Sequence, residues 1–309
     1  GNICPHEWTL AKAKLDRAQL IRACRANFSP VFGLYSDPEK FLEGRLEAAS
    51  KGAPLHKVEE DGVIHRLWRI TDTDTQTALS AWFRDKKVYI ADGHHRYETA
   101  LGYYQEVRVP DAAWVLMFLT NLDAEGLVIY PIHRQVKMPG VFDRKEFLQR
   151  AGEFFHLEPR RADATGEALV AELAKAGEAG TMFCAYFGGG EAVMMRLLDE
   201  TRARPFMAPD ESESLLPLDV FQLHKVVLQH LLGIDTKTPE GQKHMHYNVR
   251  VQEAKEQVDA GRYDMVFFMN STPIQQVRRL AEKGVRLPQK ATYFYPKLLS
   301  GLVINPFRS

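Results

Sequence analysis

Five consecutive residues, Asp92-Gly93-His94-His95-Arg96, hold the side chains best suited to chemistry in this chain. A carboxylate and two imidazoles can move protons, and a guanidinium can fork two oxygens of a phosphate. Gly93 lets a ligand approach the backbone closely. Val88 to Ala91, just before, read as a buried strand, and Arg96 to Leu101 follow a helical pattern. A loop between strand and helix in this order makes an anion site. The first N–H groups of a helix lack intrahelical acceptors, and the positive end of its dipole favours negative charge. Gly93, His95 and Arg96 are therefore read as phosphate-binding. Asp92 and His94 are candidate bases, and Glu98 is placed to orient Arg96. A solvated turn is the bland alternative.

Other candidates lie further away in sequence. His6-Glu7, with Thr9 nearby, precedes the first helix and can serve as base, metal ligand or helix cap. Glu7 is the third candidate base, with His6 supporting it. Pro131-Ile132-His133-Arg134 closes an apolar run, and polar residues at the carboxyl end of a strand often face a site in α/β folds. Lys290 and Thr292 are interleaved with aromatics over residues 288–297, where they either face a ligand or belong to a structural strap. Gly188-Gly189-Gly190 lacks the phosphate-loop pattern and reads as a hairpin turn. His244, His246 and Tyr247 read as a polar loop. Asp219 and His224 lie five residues apart on one helix, too far out of phase to share a ligand. No metal ligands are assigned.

Composition narrows the classes. The chain has 309 residues, 45% of them hydrophobic, ample for one large or two medium domains. Forty basic and forty acidic residues cancel, so no global basic field draws it to nucleic acid or anionic lipid. The three cysteines form no CxxC and are odd in number, so no zinc knuckle or disulfide framework is indicated and a cytoplasmic location is expected. No apolar run reaches a membrane span, and no secretory signal pattern is present. The first residue is not Met, and Gly1 reads as a scar of tag removal, so a natural N-terminal portion is expected to be missing.

The elements that must position these residues are read from periodicity. Helices are expected over 10–26 (amphipathic), 38–50, 74–84, 143–154, 165–176, 218–232, 250–260 and 272–283. Strands are expected over 31–35, 62–70, 88–91, 114–122, 126–134 and 263–269, with a hairpin over 181–198. The texture changes at Met138-Pro139-Gly140, which divides an α/β domain of residues 1–138 from a second α/β domain of 139–309 with an aromatic C-terminal strap.

The segments HEWT, IADGHHRYETAL, VLMFLTNLDAEGLVIYPIHR and LPQKATYFYPKLLSGLVI resemble the bacterial and archaeal domain-of-unknown-function-1015 family across essentially the whole chain. That family brings no established activity. The loop Asp92–Arg96 is also similar to the phosphate-binding loop of the ParB/sulfiredoxin superfamily, which includes free-serine kinases. There a Gly-x-x-Arg loop at a helix start binds nucleotide phosphates, which matches Gly93 and Arg96, with His95 matching the histidine of sulfiredoxin. His94 stands where sulfiredoxin has its reactive cysteine, so sulfinic-acid reduction is not expected. The resemblance implies a mixed α/β fold with a ParB/sulfiredoxin-like nucleotide-binding region. It also implies a phosphotransferase using Mg²⁺ with ATP or ADP on a small hydroxy metabolite such as serine. Two alternatives stay open. One is a non-catalytic nucleotide or phosphometabolite sensor, and the other a metal-dependent hydrolase using His94, His95 and His6 or His133. Nucleic acid and membrane partners are not expected, and the oligomeric state is open.

Overall fold

The computed structural model describes residues 2–9, 11–60, 62–178 and 180–308. It is a mixed α/β protein that divides into two compact units. One comprises residues 1–4, 21–127 and 298–309, and the other residues 5–20 and 128–297.

In the first unit the chain forms β1 (Ile3–Cys4), the end of α1 (Ala11–Cys24), β2 (Ala26–Asn27), β3 (Val31–Tyr35), α2 (Glu43–Ala49), β4 (His56–Glu60) and β5 (Val63–Leu67). Then come α3 (Thr73–Phe83), β6 (Val88–Asp92), α4 (His94–Val107) and β7 (Met117–Asn121). The main sheet has the order β1-β6-β3-β7, which makes β6 an interior strand. Its residues Val88 to Ala91 are buried, as a continuous apolar run requires when both faces are covered. Helix α4 turns Ala100 and Tyr103 onto Ile21, Ala112 and Phe307, and this packing fixes the direction of the helix start.

The second unit holds β8 (Val128–Tyr130), β9 (His133–Val136), α5 (Arg144–Ala151), β10 (Phe155–Arg161), α6 (Glu167–Gly177), β11 (Met182–Tyr186) and β12 (Glu191–Leu197). There follow α7 (Asp219–Gln222), which continues as a π-helix over Leu223–Leu231, α8 (Pro239–Lys243), β13 (Met245–Asn248), α9 (Val251–Asp259), β14 (Met265–Met269), α10 (Ile274–Glu282) and β15 (Tyr293–Tyr295). Six strands form one sheet in the order β10-β12-β11-β14-β9-β13. One face packs Phe155, Phe183 and Phe267 against α5, α7 and α10. The other packs Tyr186, Val266 and Phe268 against α6 and α9. Each fully buried aromatic on these faces contributes about 2–3 kcal/mol through lost apolar exposure.

Most expected elements form, and the differences have local causes. Residues 126–134 are not one strand. Pro131 cannot donate to a ladder, and the run breaks there into β8, which pairs with β15, and β9, which enters the large sheet. His133 and Arg134 therefore open a strand rather than close one. The expected helix over 38–50 starts only at Glu43. Helix α1 forms, but Leu15 and Leu20 are exposed and Ile21 alone of its described residues is buried, so the apolar stripe read from spacing is not a buried face. His246 and Tyr247 lie on β13 and not in a loop. The 188–190 hairpin turn forms, with all three glycines at positive φ. Strands β4, β10 and β13 escaped the sequence reading because polar residues interrupt them and none carries an apolar run.

Candidate functional site

Two groups of the candidate residues gather, one in each unit. In the first unit, Asp92, Gly93, His94, His95, Arg96 and Glu98 occupy the end of β6 and the start of α4. Gly93 is the N-cap of the helix, in the left-handed region at φ 89° and ψ 27°. A side chain is strained at that φ, which explains the glycine. Its N-cap is a glycine, which brings no side chain, and no acidic residue lies in its first turn. The positive end of the helix dipole thus carries a His-His-Arg sequence with no acid among it.

Arg96 folds back over this turn. A Cβ placed on Gly93 would lie 2.7 Å from both Nε and Nη2 of Arg96. The space that glycine leaves is thus filled by the guanidinium. Arg96 Nη2 donates to Asp92 Oδ2 at 2.8 Å across one helical turn. Asp92, rather than Glu98, holds the arginine, because Asp92 ends the strand directly under the first turn whereas Glu98 sits beyond it. Arg96 Nε is buried with no hydrogen-bond partner. Both members of the pair are partly exposed, so the ion pair stabilises the fold by only about 0.5 kcal/mol. His94 is buried and His95 half-buried.

In the second unit, His6, Glu7, Arg134 and Lys290 are brought together. Residues 6 and 7 run parallel to residue 287: Leu287 N–H donates to His6 O at 2.7 Å, and Arg286 Nη1 donates to Glu7 O at 3.0 Å. Lys290, at φ 57°, turns its N–H onto Glu7 Oε1 at 3.2 Å. His6 Nε2 shares a hydrogen bond with Thr292 Oγ1 at 3.3 Å. Arg134 is buried, donating from Nη2 to Lys290 O at 2.8 Å and from Nη1 to Ile132 O. Burial pushes its guanidinium down to about 10, while Tyr247 and Glu7 favour the charged form, so it stays cationic at neutral pH.

Sequence reasoning placed Tyr247 in a polar loop and not beside Arg134. It lies directly opposite Arg134 in the β13–β9 register, with the guanidinium 5.7 Å from its ring centre, and no sequence signal gives strand register. Burial raises the Tyr247 phenol. Asp219 is also pushed up, to about 6, by burial, against hydrogen bonds from Thr181, Met182 N–H and Asn270. His224 is pushed far down by burial and by Arg134 and Lys225.

His133 points to the other face of β9, as strand alternation demands. That is the face of Gln135, whose amide donates to Ala254 O of α9 at 3.2 Å. His133 therefore belongs to the layer of α6 and α9 and not to the Glu7–Arg134 group. Among the described residues, no three His, Cys, Asp or Glu side chains gather as a metal site. Nor is any described helix long and apolar enough to cross a membrane. None of the three cysteines is in a disulfide bond.

Comparison with solved structures finds distant likenesses. A free serine kinase variant in complex with AMP is 14% identical, with a TM-score of 0.48 over 95% of this chain and 84% of that one. A conserved hypothetical protein from Pyrococcus furiosus is 14% identical, with a TM-score of 0.45 over 97% of this chain and 90% of that one. SbnI with a C-terminal truncation, from Staphylococcus aureus, is 12% identical, with a TM-score of 0.45 over 98% and 82%. No curated protein matches the chain. The sequence profile described as "Protein of unknown function (DUF1015)" matches residues 1–221, and with it the chain belongs to that family.

Proposed function

We propose that this protein is a nucleotide-dependent phosphotransferase acting on a small hydroxy metabolite such as serine. One observation carries the reading: a helix start whose N-cap is a left-handed glycine, with an arginine folded onto it. In that reading the first-turn backbone of α4 and Arg96 hold the nucleotide phosphates, with His95 as a further donor. Binding redirects Arg96 from Asp92 to phosphate oxygens, and an incoming anion satisfies its buried Nε. The half-exposed Asp92 carboxylate is released by the same exchange.

Oxygen donors suit Mg²⁺, and Asp92 is a carboxylate of the right kind at the loop. Bound with ATP or ADP, the ion neutralises charge on the transferred phosphoryl group. Asp92, His94 and Glu7 are the candidate bases for the substrate hydroxyl. A base must come within hydrogen-bond reach of that proton, so each is tested by substitution rather than by its present contacts. Three cysteines outside any disulfide bond fit a cytoplasmic setting.

The test is purified protein with Mg²⁺ and ATP or ADP, incubated with a panel of hydroxy amino acids and followed by phosphorus NMR. A phosphorylated product that disappears in Arg96→Ala supports the proposal. Nucleotide binding without product under any condition replaces it with the sensor reading.

A further inference from the structure

The second unit contains a cavity of about 730 Å³ that the phosphate loop does not use. Its wall joins the β8–β9 junction to the starts of α6 and α9, through His133, Glu167 and the run Arg250 to Glu253. The start of α9 has no side-chain cap, whereas at α6 the Thr165 hydroxyl accepts from Glu167 N–H at 3.2 Å. The positive end of the α9 dipole therefore opens on the cavity through Val251 to Glu253, which favours an electronegative group.

His133 supplies a second, independent observation. It is fully buried, with its ring edge-on to Phe268 at 5.1 Å in the layer of α6 and α9. Met269 N–H donates to His133 Nδ1 at 3.2 Å. An Nδ1 that accepts places the ring proton on Nε2. Nε2 has no partner, so a buried N–H in the cavity wall lacks an acceptor. An orphaned buried donor is expensive, and an acceptor on a bound molecule relieves it. Burial, reinforced by Arg134, pushes the imidazole down to about 3, which keeps this neutral donor fixed across the physiological range.

The rim adds the opposite requirement. Glu167 and Glu256 are exposed and Glu253 is half-buried, against the single guanidinium of Arg250. A simple dianion would meet three carboxylates, and a simple cation would meet the α9 start and the His133 donor. A molecule carrying one carboxylate and one ammonium satisfies both sets. We propose that this cavity binds a free α-amino acid, with its carboxylate on the His133 Nε2–H and the start of α9, and its ammonium on the rim glutamates. The site stands independently of the nucleotide reading, because it lies wholly within the second unit and shares no residue with the loop.

The test titrates the full chain with free L-α-amino acids by calorimetry, each beside its des-amino acid and its decarboxylated amine. At least one amino acid is expected to bind saturably, with both analogues about tenfold weaker or worse. His133→Phe and, separately, Glu256→Gln at the exposed rim should each weaken that binding by about tenfold. In protein labelled with ¹⁵N-histidine, the His133 Nε2–H resonance should move on addition of the amino acid, a readout that does not depend on any variant folding. Failure of every amino acid to bind, an analogue binding equally well, or an unmoved His133 resonance overturns the proposal.

Discussion

The loop of the first unit and the polar strand of the second use charge in opposite ways. Asp92 and Arg96 face each other half-exposed at a helix start, where their pairing stabilises little and a ligand can replace it. Arg134 and His133 sit side by side on a strand with every residue buried, where each polar atom must be satisfied internally or by a bound molecule. The first arrangement is exchangeable and the second is fixed. Charge in a solvated turn is available for recognition, whereas charge in a core first has to be compatible with folding.

The largest expected effect lies in the buried strand. Arg134→Leu leaves the carbonyls of Ile132 and Lys290 without their donor and removes the cation beside Glu7. A loss of about 3 kcal/mol in urea unfolding is expected. A loss under about 1 kcal/mol would show that the strand tolerates its polar residues as surface does. Next is Gly93→Ala, which forces a side chain to φ 89° and onto the Arg96 guanidinium. A destabilisation of about 1–2 kcal/mol is expected. Thermal unfolding unchanged from the wild type would contradict the conformation at residue 93.

A pH effect separates the regions further. His133 titrates near 6.5 in an unfolded chain and at about 3 in the fold, so below 6.5 the unfolded state binds the extra proton. Its contribution is fully present above pH 6.5 and is lost as pH falls from there towards 3, by about 1.4 kcal/mol per unit. Asp219, raised to about 6, works the other way between about 4 and 6, because its folded form holds the proton. The difference between wild type and His133→Phe isolates the histidine. If both lose stability equally on acidification, His133 is not the group responsible. Arg96→Ala should be the mildest for folding, within about 0.5 kcal/mol in the same urea experiment, since it removes only a partly exposed pair.

Legibility followed the same division. The loop could be read because strand, glycine, charged residues and helix are contiguous, and the left-handed Gly93 lies where the turn needs it. What the sequence reading misassigned there was Arg96's partner: Asp92, four residues before it, shares its side of the turn, whereas Glu98, two residues on, does not face it. In the second unit, Glu7, Arg134 and Lys290 were each singled out, but their meeting depends on residues 6–7 running beside residue 287 and Arg134 lying across from Tyr247. Pairings over such separations leave no periodicity in the chain. His133 and Arg134 looked like neighbours in one site, yet strand alternation sends them to opposite faces.

The central claim is that the α4 start binds nucleotide phosphates through Arg96. The most direct measurement is calorimetric titration of ATP and ADP, with and without Mg²⁺, into wild type and Arg96→Ala. Saturable binding to the wild type, weakened at least about tenfold in the variant, is the predicted result. Binding that is equally strong in Arg96→Ala, or no binding to the wild type with any of these nucleotides, would contradict it.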